Sequence, residues 1–253
     1  MDLLPIALTI VAGVAMGAIN NVAGGAGVLG LLAFEYGFGM PLLTANPSTR
    51  LAAVAIGSFA CLGFVRAGRP VPRRAWLQGL AALPGALLGS HLALALPPLA
   101  FRSYLSVVLV LLLWQQLRRR RPTAHAPRSA FLATAGCFLI GLHMGYVQVG
   151  TGLLATLVLA QAYDRDLLAV NAAKSVVVIV TSIASAGTFA VTGSIVWVPA
   201  LALAVGAGFG SYFASHWSVA RGSDAVRRVV VVIAVLTLLE QLRQIVSLLA
   251  GTG

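Results

Sequence analysis

The chain has 253 residues, of which 59% are hydrophobic and 9% are charged, and its mean hydropathy is +0.95. Because soluble domains carry about 25% charged residues, this composition excludes a water-soluble enzyme or a disordered chain and favours a polytopic membrane protein. The net charge of +11 would suit a nucleic-acid partner, but the arginines cluster at the ends of apolar runs, which indicates membrane topology instead.

Eight apolar runs follow one another along the chain, with a basic stretch at 118–128 between the fourth and the fifth. The runs cover residues 3–34, 42–65, 75–96, 101–117, 130–162, 167–191, 195–219 and 226–249. Glycine interrupts the first and fifth runs, at 20–27 and 145–152, which we call the first and second glycine knots. Because glycine weakens helices, we predict an all-α protein of about eight transmembrane helices, in which the first helix of each half is broken at its knot.

The two halves of the chain resemble each other. A shift of 125 residues aligns Asn46 with Asn171, Ser90-His91 with Ser215-His216, and Gln116-Leu117-Arg118 with Gln241-Leu242-Arg243. These polar residues are rare in so apolar a chain, so chance explains the matches poorly. We therefore predict two tandem four-span repeats, 1–121 and 130–253, joined by a basic cytoplasmic linker at 122–129.

The basic clusters predict the topology. With four crossings in each half, 118–121 and Arg128 share one side of the membrane with Arg66, Arg69, Arg73 and Arg74. The positive-inside rule makes that side cytoplasmic, and both termini then face the cytoplasm, in a protein of the cytoplasmic (inner) membrane. An even number of crossings makes the repeats parallel, related by an axis along the membrane normal. If the knots are instead turns of re-entrant hairpins, the number of crossings and the repeat orientation change.

The glycine knots are the first candidate binding residues. Matched helix interruptions in two repeats are the best sequence pointer to a transporter's binding site. Half-helix N-termini at such a break offer free N–H donors and a positive dipole end to an anion. The alternative is close helix packing through small residues. The candidates here are Gly24, Gly25, Gly27, Gly150, Thr151 and Gly152.

A second matched pair of segments follows the knots, at 46–50 and 171–175. Each opens an apolar helix, and Asn is a good N-cap, so an ordinary helix start is one interpretation. A cation in the first turn of a helix is unfavourable, however, and an anionic substrate would give Arg50 and Lys174 a partner. The candidate substrate-binding residues are Asn46, Ser48, Thr49, Arg50, Asn171, Lys174 and Ser175.

Several titratable residues are candidates for proton coupling. His91 and His216 occupy matched positions in apolar segments, where a histidine can serve as a proton relay or simply lie at the membrane surface. Glu35 follows the first knot and could bind a proton or be an interfacial loop acid, and His143 lies beside the second knot. The chain has no metal-ligand cluster, cofactor motif, nucleophile elbow or P-loop, so neither an enzyme nor an ATP-driven pump is predicted.

The order of these motifs resembles the sulfite exporter TauE/SafE family over nearly the whole chain. In the first half, Gly24-Gly25-Ala26-Gly27 precedes Met40-Pro41 and 46–50; in the second, Gly150-Thr151-Gly152 precedes 171–174. The second knot departs from this pattern, since it lacks paired glycines. The resemblance implies transport of sulfur-containing anions, such as sulfite or organosulfonates, across the cytoplasmic membrane.

The expected function is therefore a secondary transporter with its site between the two repeats. Its expected partners are a small anion and the lipid bilayer, without nucleic acid, and an oligomer is compatible with the sequence. Two alternatives stay open. One is an uncoupled channel or facilitator for a small anion or neutral solute, and the other is a membrane scaffold subunit with no flux of its own.

Overall fold

A computed structural model describes residues 3–23, 26–117, 130–163 and 166–218, together with positions 235, 239 and 243. Within these residues the protein is all helical, as predicted. Ten helices are present in the described residues: α1 Leu3–Ala23, α2 Gly27–Phe38, α3 Leu42–Ser48, α4 Arg50–Arg66, α5 Arg73–Ala95, α6 Pro98–Leu117, α7 Ala130–Tyr146, α8 Thr151–Leu159, α9 Leu167–Val191 and α10 Trp197–Ser218.

Five segments in the described part of the chain are long and apolar enough to cross a membrane. They are Leu3–Asn20, Leu42–Arg66, Arg73–Ala95, Leu168–Val191 and Trp197–His216. Three further apolar helices are shorter: Gly27–Phe38, Pro98–Leu111 and Phe131–Tyr146. The multi-pass membrane architecture is therefore clear, whereas the predicted count of eight spans is not reproduced. Apart from positions 235, 239 and 243, the predicted run 226–249 lies outside the described residues, as does the linker 122–129.

The first glycine knot is the turn of a helical hairpin. Gly30 of α2 lies against Met16 of α1, and Gly37, further along α2, faces Thr9. Residues later in α2 therefore contact residues earlier in α1, so the two helices are antiparallel. Gly24 and Gly25, which the sequence placed at the break, lie outside the described residues.

The second knot is also a hairpin turn. Gly136, early in α7, packs on Val158, late in α8, and His143 near the end of α7 contacts Val149 just before α8. Gly150 has a φ of +77°, a left-handed conformation that favours glycine, and it allows the chain to reverse. The prediction of one broken helix in each half is thus wrong: both knots reverse the chain instead of interrupting a crossing.

The returning helices are too short to cross the membrane. α2 has 12 residues and α8 has 9, which at 1.5 Å per residue gives about 18 Å and 14 Å against a hydrocarbon core of about 30 Å. We call residues 26–27 and the segment 147–150 the hairpin tips.

α3 and α4 together form one kinked span. Pro47 lies inside α3, where it removes a backbone donor and bends the helix. Backbone bonds from Thr49 to Ala45 and from Ala53 to Thr49 nevertheless carry the helical pattern through the junction. Arg50 therefore lies inside a nearly continuous span and not at a free helix N-terminus.

Two seams of small residues hold helices from the two halves together. Gly13 and Gly17 of α1 pack on the backbone of Leu203 and Ala207 of α10. Gly85 and Gly89 of α5 pack in the same way on α7. In both seams the contacts advance together along the two chains, so each pair is parallel. Small residues at such spacing let helix backbones approach closely in a membrane, which fixes helices of opposite halves as rigid pairs.

The helices α4 and α9 run in opposite directions. Arg50, at the start of α4, lies over the ring of Phe189 near the end of α9. Gly57 packs on the Ser175 carbonyl, and Phe64, at the end of α4, belongs to the cluster with Ala172 near the start of α9. Since the shift of 125 residues pairs these two helices, an axis along the membrane normal is wrong for them.

The same packing contradicts part of the predicted topology. α10 runs parallel to α4, because Val196 contacts Ser48 and Ser211 contacts Ile56, and α1 runs parallel to α10. The start of α1 therefore lies at the opposite end of the bundle from Arg66. The predictions that the N-terminus and the basic loop 66–74 both face the cytoplasm therefore cannot both be correct.

Candidate functional site at the hairpin tips

The two hairpin tips meet inside the protein. A Cβ placed on Gly27, the first residue of α2, would lie 2.9 Å from the carbonyl oxygen of Gln148 in the second tip. Ala26, Gly27 and the segment 147–150 are all buried. The N-termini of α2 and α8 thus approach one another, and neither receives a side-chain cap. Free N–H groups at helix N-termini suit an anion. In this bundle the two helix N-termini lie close to each other, so one anion could contact both.

Arg50 is the largest fully buried side chain at this place. Its guanidinium donates to the last carbonyls of α7: to Met144 at 2.6 Å, to Gly145 at 3.2 Å and to Tyr146 at 3.3 Å. These carbonyls form the negative end of the helix dipole, where a cation is favourable. The partner that the sequence left open for Arg50 therefore includes the end of α7, immediately before the second tip.

Asn46 connects Arg50 to the same helix end. Its Oδ1 accepts from Arg50 Nη2 at 2.9 Å, and its Nδ2 donates to the Tyr146 carbonyl at 2.9 Å. The prediction that Asn46 is an N-cap is wrong, because it lies inside α3. Asn171 likewise lies inside α9, and Asp166 is the N-cap of that helix, accepting from the Leu168 and Ala169 amides.

Among the described residues, the contacts of the Arg50 guanidinium are with neutral groups. Its acceptors are carbonyl and amide oxygens, the Phe189 ring lies 5.5 Å from the guanidinium carbon, and the buried Nε has no hydrogen-bond partner. Buried charges are normally paired with an opposite charge. A helix C-terminus supplies only about half an elementary charge. The region beside the tips therefore retains net positive charge and one open donor, an arrangement that can bind an anion.

Lys174 is buried, but the structure does not bring it to Arg50. It precedes Ser175, whose carbonyl packs on Gly57 of α4, seven residues after Arg50. At 1.5 Å per residue the backbones of the two residues lie about 10 Å apart along the bundle. Ala173 and Val177 of α9 share a hydrophobic cluster with Met144 and Ala155, on either side of the second tip. Lys174 therefore lies at another level of the bundle than Arg50.

The remaining predicted polar residues have mostly local partners. Ser48 accepts from the Val196 amide at 3.0 Å and so ties α3 to the turn before α10. Thr49, Thr151 and Ser175 each donate to a carbonyl three or four residues earlier. Gly152 is buried in the first turn of α8, and its carbonyl accepts from Thr156. Of this group, Thr151 and Gly152 lie beside a tip.

The three predicted proton-coupling residues all lie in helices. His91 in α5 and His216 in α10 are exposed on their helices, while the serines before them, Ser90 and Ser215, are fully buried. Glu35 lies in the last turn of α2 and is partly buried, so the interpretation as a loop acid is wrong.

His143 is the titratable residue that the structure places beside a tip. It is 7% exposed, and its ring nitrogens contact Val149 O at 2.8 Å and the Tyr104 hydroxyl at 2.7 Å. The sequence showed its proximity to the second knot but gave it no role. No local sequence signal points to its partner Tyr104, because this tyrosine lies 39 residues earlier, in another helix.

Two short helical hairpins that meet tip to tip inside a bundle of membrane-spanning helices define a polytopic membrane transporter and not an enzyme. The family model of the sulfite exporter TauE/SafE matches residues 9–240, and the chain belongs to this family. It is 23% identical over 234 residues to the "Probable membrane transporter protein ORF9" of a Sinorhizobium species, covering 91% of this chain and 89% of the relative. No solved structure shows a significant match.

Proposed function

We propose that the protein is a secondary transporter of small sulfur-containing anions, such as sulfite or an organosulfonate, across the cytoplasmic membrane. The observation that carries this proposal is the fully buried Arg50 guanidinium, with neutral partners and an open Nε, beside the meeting point of the two hairpin tips. The family match supports the substrate class.

The tips supply the chemistry that a small oxyanion needs. The N-termini of α2 and α8 offer backbone donors at Gly27, Thr151 and Gly152, and Arg50 Nε offers a charge-assisted hydrogen bond, which is shorter and stronger than a neutral one. Asn46 holds the guanidinium in place from the other side. Lys174, buried in α9, adds positive charge at the level of Gly57, seven residues after Arg50.

We infer that the two halves form an inverted repeat. Gly68 and Gly193, which the 125-residue shift pairs, both have positive φ and close α4 and α9 with equivalent backbone bonds, Arg69 to Phe64 and Ser194 to Phe189. The antiparallel course of α4 and α9 supports an axis in the membrane plane. Inverted repeats with discontinuous helices at the midplane are a common transporter design.

The moving bodies in this proposal are pairs of helices drawn from both halves. The glycine seams join α1 to α10 and α5 to α7, so neither half can rock as a unit without opening a close backbone contact. We propose instead that α1–α10 rocks against α5–α7, which carries one hairpin tip past the other and exposes the anion alternately to each side. Basic loop 66–74 marks the cytoplasmic side.

The test is uptake of labelled sulfite into proteoliposomes containing the full chain, with Lys174→Met as the neutral variant. Saturable uptake that is lost in this variant supports the proposal. Arg66→Gln is the control, because Arg66 is an exposed cation whose hydrogen bond goes to Tyr212 at the end of the bundle. Equal uptake by Lys174→Met and wild type would remove Lys174 from the site, and no uptake of sulfite or organosulfonates by wild type would refute the transport of these anions.

A further inference from the structure

We propose that His143 carries the proton that is transported together with the anion, and that Tyr104 links this histidine to the outside of the bundle. The inference rests on the proposed function, since it assigns the coupling residue of that transport. It is carried by the position of His143, buried at the end of α7 between an exposed phenol and the second hairpin tip.

The contacts of the ring define its proton chemistry. Nε2 lies 2.8 Å from the Val149 carbonyl oxygen, which can only accept, so Nε2 carries a hydrogen in both protonation states. Nδ1 lies 2.7 Å from the Tyr104 hydroxyl. In the neutral ring Nδ1 accepts from Tyr104. After protonation, Nδ1–H donates to the phenol oxygen, and the phenol hydrogen turns to another acceptor. Proton uptake at His143 therefore reverses one hydrogen bond without moving a heavy atom.

The three groups run from the surface of the bundle to its interior, and the mobile proton is shared by Tyr104 and His143, because the Val149 carbonyl only accepts. Tyr104 is 37% exposed on α6, His143 is 7% exposed, and Val149 in the tip is fully buried. The ring of Tyr146 packs edge-on against Tyr104, with centroids 4.9 Å apart, and holds the phenol in place. By contrast, His91 and His216 are exposed.

The surrounding charges couple protonation to anion binding. Arg50 reaches from α4 to Met144, Gly145 and Tyr146, the residues that directly follow His143. The helices α5 and α9, which pack against α7, carry the exposed His91 and the more distant Lys174, and α8 contains no titratable residue. The helix α6, which supplies Tyr104, also carries Arg102, whose Nη1 is buried without a hydrogen-bond partner.

A protonated His143 therefore places a second positive charge beside Arg50 in a buried region. Like charges disfavour each other there, and a bound anion offsets both. Because linkage is reciprocal, the anion favours protonation as much as protonation favours the anion. The expected mechanism is symport of at least one proton with each anion.

Transport of labelled sulfite by proteoliposomes tests the coupling, with His143→Gln compared against wild type and His91→Gln. Gradient-driven accumulation by His143→Gln should fall by at least about ten-fold, the scale of a typical coupling free energy. Counterflow at equal pH on both sides should remain measurable, because exchange needs no net proton movement, but with a higher KM for sulfite, because the variant lacks the charge that favours the anion. Wild-type accumulation by His143→Gln, or loss of coupling in His91→Gln alone, would overturn the inference.

Infrared difference spectra between low and high pH give a second readout that does not depend on transport. The purified protein should show an imidazolium band together with a shift of a tyrosine C–O band. Three other histidines remain in His143→Gln, so the signals of His143 are those present in wild type and lost in this variant, and they should comprise an imidazolium band and the tyrosine shift. Tyr104→Phe should remove only the tyrosine shift, with Tyr36→Phe as an exposed control. Identical pH difference spectra of wild type and His143→Gln would overturn the inference even if sulfite is transported. If the bands are present but sulfite counterflow is absent, only the proposed function fails.

Discussion

Replacing Asn46 by Asp tests whether net positive charge at the hairpin tips holds the anion. The change keeps the size and shape of the side chain and turns a neutral partner of Arg50 into a carboxylate, 2.9 Å from Nη2. The guanidinium then has an opposite charge of its own. We expect sulfite binding to weaken strongly while the fold is retained.

The magnitude follows from the geometry of Arg50. With the carboxylate on one side of the guanidinium and the anion on the other, each at hydrogen-bond distance, the two negative charges lie roughly 6 Å apart. At an effective dielectric constant of about 20 their repulsion is about 2.8 kcal/mol, which corresponds to a loss of about 100-fold in affinity. The lost donor to Tyr146 O is partly replaced by Arg50, so the stability change should stay within about 2 kcal/mol.

Calorimetric titration of the purified protein with sulfite measures the affinity, and thermal unfolding in detergent measures the stability. Gln78→Glu is the matched control, because Gln78 is another buried amide, bonded to Tyr163 and not to Arg50. It should bind sulfite nearly as wild type does. Undiminished sulfite affinity in Asn46→Asp would refute the view that uncompensated charge on Arg50 recruits the anion.

Two further predictions follow from the packing. Gly27→Ala should slow sulfite counterflow, because the added Cβ would lie 2.9 Å from the Gln148 carbonyl, whereas Gly187→Ala has open space and should have no effect; equal rates in both variants would show that the tips need not approach so closely. In a variant without the two native cysteines, single cysteines at Leu4 and Arg69 should react with an impermeant maleimide from opposite sides of the membrane; labelling from one side would contradict the parallel course of α1 and α4.

The helical segments were predictable because hydrophobicity dominates this sequence. The runs 75–96, 167–191 and 195–219 coincide within about three residues with α5, α9 and α10. The hairpins were not predictable from the same signal. A glycine knot inside an apolar run is compatible with a break, a kink or a reversal, and what decides among them is contact between distant residues, such as Gly37 with Thr9.

The candidate site shows the same limit. The sequence identified Asn46 and Arg50 as unusual, since a cation at a helix start lacks a local partner. Their actual acceptors lie about 95 to 100 residues away, at the end of α7. No local pattern marks a carbonyl as an acceptor, because every residue has one. For the same reason the sequence placed His143 beside the second knot but did not predict its two partners, a backbone carbonyl and a tyrosine in another helix.

Arg50 links the architecture to the transport cycle. One guanidinium joins α4 to the last turn of α7, and that turn leads directly into the tip that meets Gly27. In the proposed transport cycle, an anion at the open Nε is held by a side chain that already joins α4 to α7. When the anion leaves, the guanidinium keeps a charge that the half-charge of a helix end cannot balance, and admission of water is the physical way to lower its energy. We therefore predict that release of the substrate is accompanied by hydration beside Arg50.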